Sequence, residues 1–251
     1  MGTNHSRVWD IYTRLFHWLL VSGIAYQYYS AEISDTSIDN HVLVGYGLLG
    51  LIIWRVLWGI VGPEPVRFSA FVPRPSALIQ YVQSTPKPIF ATHNPLGACA
   101  VLLFLLVIAL QAISGLFMTD DILFTGVLHN WLSSAITDSI IWFHNNAFNL
   151  LLVLVGVHVF AVVVHAKTNQ PYIIKAMFDG NKPNQQFAVT HDWHMHMKCL
   201  ICVVISAVKV YLLVNHVPDW LGVETEDLFD FYLVRKADLF INLKITIASL
   251  H

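Results

Sequence analysis

Apolar residues gather in four long blocks separated by short polar segments, at approximately 14–33, 41–62, 95–118 and 139–165. A helix rises 1.5 Å per residue, so about 20 such residues cross roughly 30 Å of hydrocarbon. A fifth block, 199–217, is weaker because Lys209 sits near its middle, where an unpaired ammonium is costly. The pattern predicts an all-α integral membrane bundle of four helices over residues 1–182. A C-terminal extension, 183–251, carries a fifth helix that either spans or lies in the interface.

Composition sharpens the class. Of 251 residues, 56% are hydrophobic and only 12% charged, about half the charge of a soluble domain. The first apolar run opens with Arg14, Phe16, His17 and Trp18. No small-residue cleavage site follows it, so it reads as a retained span rather than a secretory leader. Arg7, Arg14, Arg67, Arg74, Lys87, Lys167, Lys175 and Lys182 flank one set of span ends. Glu32, Asp35, Asp39, Asp120, Asp121 and Asp138 flank the other. Cytoplasmic segments collect lysine and arginine, which predicts a cytoplasmic N-terminus and outward-facing acidic loops.

The connector 63–94 holds prolines 63, 65, 73, 75, 86 and 88 and reads as an ordered interfacial link. Trp18, Trp54, Trp58, Trp131 and Trp142 fall near span ends, as an interfacial belt places them. There is no basic surface for nucleic acid and no Gly-rich phosphate loop. Cys99, Cys199 and Cys202 lie in apolar stretches, which argues against a disulfide framework.

The candidate chemistry lies in four histidines. His144 and His158 are fourteen residues apart, which on a helix is about 21 Å of rise and roughly 40° of rotation. His17 opens the first span and His41 the second. Alternating span directions therefore pair His41 with His144 near one membrane face and His17 with His158 near the other. A lone intramembrane histidine usually bonds a neighbouring helix; four that match by depth point instead to two bis-imidazole metal sites. Imidazole on both axial positions suits a haem iron dedicated to electron transfer, because no position is left for substrate.

Arg55 follows His41 by the same fourteen residues, near the depth of His158. There it either pairs with a haem propionate or snorkels to the surface. Gly45, Gly47 and Gly50 remove side chains where a flat macrocycle would approach, and they equally suit close helix packing.

The segments Arg14-Leu15-Phe16-His17-Trp18, Trp54-Arg55-Val56-Leu57-Trp58-Gly59, Arg67-Phe68-Ser69 and His93-Asn94-Pro95-Leu96-Gly97, with His41 and the His144/His158 pair, resemble the bacterial cytochrome b561 family. The nearest branch holds the b-type cytochrome subunits of nickel–iron hydrogenases, and the likeness covers approximately residues 7–182. It implies a four-helix inner-membrane bundle with two b haems, ligated by His17, His41, His144 and His158. It also implies electron exchange between quinone and a partner such as hydrogenase, thiosulfate reductase or a c-type cytochrome. His93 then either touches a propionate or quinone oxygen or is an ordinary interfacial residue at a helix start. Whether the chain counts as an enzyme turns on whether quinone reacts on it.

The run His191, His194, His196, Cys199, Cys202 lies beyond the resemblance and reads mainly as the start of an apolar helix. Two other classes compete with the cytochrome reading. One is a haem-free transporter or channel using intramembrane histidines; the other is a membrane anchor for a soluble oxidoreductase.

Overall fold

The computed structural model describes residues 5–33, 38–86, 88, 90, 92–120, 124–168, 170–183, 189 and 192–221. Asp35, Lys87, Asp121, His191 and the acidic tail from 222 lie outside them. Among the described residues the α-helices in chain order are α1 (Ile11–Tyr28), α2 (Ile38–Val61), α3 (Phe68–Phe71), α4 (Pro75–Gln83), α5 (Pro95–Ser114), α6 (Ser134–Thr168), α7 (Ile173–Asp179), α8 (Trp193–Asn215) and α9 (Val217–Trp220). Two three-residue strands, β1 (His5–Arg7) and β2 (Asn181–Pro183), form an antiparallel ribbon. The molecule is otherwise an all-α bundle.

Helix starts follow local chemistry. The Asp10 carboxylate accepts from Thr13 N at 2.9 Å and from Thr13 Oγ1 at 2.6 Å, a cap that contributes about 1 kcal/mol. It begins α1 three residues earlier than the apolar pattern indicates. Asn94 caps α5 by accepting from Gly97 N at 2.7 Å, with Pro95 in the first turn. Asp192 caps α8 through Met195 N at 2.9 Å. α7 ends at Gly180, whose φ of 82° falls where glycine is unstrained. Its carbonyl accepts from both Val8 N and Trp9 N, tying the N-terminal segment to the end of α7.

Among the described residues, four helices are long and apolar enough to cross a membrane: α2, α5 with its 3₁₀ extension to Phe117, α6 and α8. This differs from the sequence expectation at two places. α1 is outside that set, because Arg14, His17 and Gln27 lower its apolarity, and residues 29–33 of the expected first span form a π-helical turn. The Lys209 segment is inside it: Lys209 is exposed on α8, six residues or about 9 Å from the helix end, within reach of snorkelling. α6, at 35 residues, is about 52 Å long and outruns the hydrocarbon.

α1 packs on α2, α2 on α5, and α5 on α6, while α8 lies along α2. A Cβ on Gly50 would stand 3.7 Å from Val210 of α8, so the two backbones run close at mid-helix. Three apolar clusters divide the bundle by level. One joins Val8, Trp9, Phe16, Trp54, Trp58 and Cys199. A middle one joins Ile52, Val107, Ile108 and Leu151, and a third joins Leu116, Phe117, Val127 and Leu128. Trp54 and Trp58 are thus core residues, 6% and 0% exposed, and not part of an interfacial belt. They stack at 5.5 Å with Phe16 on the far side of Trp54. Val153, Val157 and Phe160 of α6 stay exposed, as lipid-facing side chains would.

Candidate functional site

The ends of α1 and α5 and the beginnings of α2 and α6 meet around a cavity of about 470 Å³. His41 and His144 both line it, on opposite helices, close enough for their charges to interact. The same α6 carries His158 at its other end, where it interacts electrostatically with His17 of α1. Leu151, one heptad from each α6 histidine and 2% exposed, sits in the middle apolar cluster between the two ends. His41 and His144 thus share one cavity, while His158 lies toward the other end of α6 on the His17 side, with buried Leu151 between the two levels.

Hydrogen bonds fix the rings at the cavity. Ser30 Oγ–H donates to the Gln27 carbonyl at 3.1 Å, so its oxygen is left to accept from His41 Nδ1–H at 2.9 Å. The pattern repeats on the other wall. Ser114 Oγ–H donates to the Gln111 carbonyl at 2.9 Å, and His144 Nδ1–H donates to Ser114 Oγ at 2.9 Å and to that same carbonyl at 3.1 Å. A carbonyl only accepts, which places the His144 proton on Nδ1 and leaves the Nε2 lone pair for a ligand. Metal-binding histidines are oriented in this way, by a bond from the second ring nitrogen. Gln111 Nε2 also holds α6 directly, donating to the His144 carbonyl at 2.9 Å.

Space at the cavity fits a flat group. Gly45, one turn after His41, lines the wall, and a Cβ on Gly115 would come within 3.2 Å of His144 Cε1. Tyr28 and Phe148 stack at 5.8 Å with planes 9° apart on the same wall. Glu32 and Asp120 also line the cavity, and Asp120 Oδ1 accepts from Phe124 N at 2.7 Å.

The His17 end is built differently. His17 Nδ1 is buried with no hydrogen-bond partner, and its ring meets Trp18 edge-on at 5.0 Å. His158 meets Phe104 edge-on at 5.6 Å. Trp18 is held by Nε1–H donating to the Met177 carbonyl at 3.1 Å, and Arg14 donates to the Phe178 carbonyl. α7 thereby braces the first turns of α1, and with them His17.

Arg55 does not snorkel: it is 3% exposed. Nη2 donates to the Val66 carbonyl at 3.3 Å, and the guanidinium lies over the Phe68 ring at 5.0 Å. Nη1 is buried without a partner. Asp10, fully buried, lies beyond ion-pair distance of Arg55 and accepts from Trp58 Nε1 at 3.4 Å. His93 packs between Trp9 at 5.0 Å and Phe71 at 4.8 Å, its Nδ1 also unpartnered. Burial, then the charges of Arg55 and Lys182, push the His93 imidazole down to about 3, so it is neutral at physiological pH. Burial likewise pushes the Lys182 ammonium down to about 8. Arg55 and His93 are thus brought together at the His17 end, each with one orphaned buried nitrogen.

Sequence reasoning overlooked Ser30, Ser114, Gln111 and Asp10. Asp10 was recoverable from its capping position before Thr13; the serines were not, because their role depends on which helix ends meet. Among the described residues no group of three or more His, Cys, Asp or Glu gathers as for a bare metal ion. Cys199 and Cys202 are both buried in the first apolar cluster.

The family model described as prokaryotic cytochrome b561 matches residues 8–180, more than two thirds of the chain. No curated protein and no solved structure matches it.

Proposed function

The chain belongs to the prokaryotic cytochrome b561 family of membrane electron-transfer proteins that bind haem b, and on that footing we propose that it holds two bis-histidine haems and relays electrons between the quinone pool and a redox partner. The observation that carries this reading is the grouping of His41 with His144 and His17 with His158 at two levels of one bundle. Bound haem would supply reversible one-electron chemistry, and His41, His144, His17 and His158 are the residues that would hold it. The protein's part is to orient the imidazoles, exclude water and set the charge around each site.

Ser30 and Ser114 fix the ring tautomers on the cavity side. Leu151 and its neighbours keep the layer between the sites dry. At the His17 end, the orphaned nitrogens of Arg55 and His93 are donors suited to a propionate or a quinone oxygen. That end carries the basic segments, which supports a cytoplasmic N-terminus in a bacterial inner membrane and an outward-facing cavity end. Hydrogenase, a c-type cytochrome or another reductase fits the role of redox partner.

The rival transporter reading is separated by colour. Protein purified from haem-replete cells and reduced with dithionite should show a b-type α-band. A colourless preparation excludes the haem reading and returns the intramembrane histidines to proton or cation chemistry.

A further inference from the structure

The two histidine pairs differ in how their second nitrogens are held, and this carries a consequence for their redox behaviour. At the cavity end, both His41 and His144 donate from Nδ1 to oxygen acceptors, each serine oxygen freed by its own bond to a backbone carbonyl three residues earlier. Drawing the Nδ1 proton toward an oxygen makes imidazole a stronger donor through Nε2, which favours ferric over ferrous iron. The carboxylates of Glu32 and Asp120 on the same wall favour the more positive form as well. At the other end, His17 Nδ1 is buried without an acceptor. The buried Arg55 cation at that end is set against the buried Asp10 carboxylate, so the contrast between the ends is carried by the ring nitrogens and by Glu32 and Asp120.

Resting on the two-haem reading, we propose that Ser30 and Ser114 are tuning residues. With Glu32 and Asp120, they hold the haem at the His41–His144 site at a lower midpoint potential than the one at the His17–His158 site. One electron lost at the first site and gained at the second then moves downhill, with no bond broken and no proton required. Passage from the cavity end toward the Arg55 end is the favoured direction.

The test is a spectroelectrochemical titration of the purified holoprotein. Two b-type components are expected, the lower-potential one being the component that disappears in His144→Ala. Ser30→Ala should raise that lower potential on the order of tenfold in the reduction equilibrium, about 59 mV for one electron. It should leave the upper component in place, and Ser30→Thr, which keeps the hydroxyl, should titrate like the parent. If Ser30→Ala loses the haem altogether, Ser114→Ala is read instead, with a smaller upward shift expected because His144 keeps the Gln111 carbonyl as acceptor. An unmoved lower component in the variant that is read, or disappearance of the upper component in His144→Ala, overturns the proposal. A parent protein with fewer than two components overturns the two-haem reading beneath it.

Discussion

His158→Ala is expected to remove one haem and leave the other, lowering the haem-to-protein ratio from two to one. α6 is a single uninterrupted helix, so truncating one side chain does not shift His144, about 21 Å away along it. Leu151 stays packed between the two levels. The ring of His144 is held by Ser114 and Gln111, neither of which touches the other end. His158 has no comparable anchor beyond the Phe104 edge, and its partner His17 cannot fill both axial positions. His144→Ala should give the mirror result. Quantifying haem by pyridine haemochrome in both variants checks this; retention of both haems, or loss of both from either variant, refutes the pairing.

The second large effect concerns Arg55. Arg55→Leu should destabilise the protein by about 2 kcal/mol, the scale of one hydrogen bond from a charged group together with a cation–π contact. Asp10 would remain fully buried without its compensating cation, and the bond to the Val66 carbonyl and the contact over Phe68 would be lost. The double variant Asp10→Asn, Arg55→Leu should lose less than the sum of the single changes, because the two charges are no longer asked to balance each other. Thermal unfolding of detergent-purified variants measures this. Strict additivity would mean that the two charges do not interact and that Arg55 acts only through its packing.

The apolar pattern located α2 and α5 to within a few residues, because in lipid every backbone group must be bonded within the segment and helices follow length and apolarity. It placed α6 five residues late and three short, since polar ends such as Ser134 and Lys167 continue a helix beyond the hydrocarbon. α1 is less apolar than the other long helices because it carries Arg14, His17 and Gln27, and in α8 one exposed lysine near the end weighs less than 23 helical residues of high hydropathy.

Trp54 and Trp58 were misread as an interfacial belt because distance from a span end does not say which side of the helix a residue occupies. They face α1 and the Asp10 cap. The levels of the four histidines along the bundle were legible from spacing, since a rigid rise per residue converts sequence interval into height. Their second ring nitrogens were not, since the π-helical turn that presents Ser30 to His41 carries no apolar signature.

The central claim is two bis-histidine haems in one bundle, and it is tested most directly by haem content and ligation together. Pyridine haemochrome against protein concentration, with low-temperature EPR of the oxidised sample, should give two b haems per chain, both low-spin, as two imidazole ligands require. A ratio near one, or a high-spin signal from an iron with an open position, would contradict it.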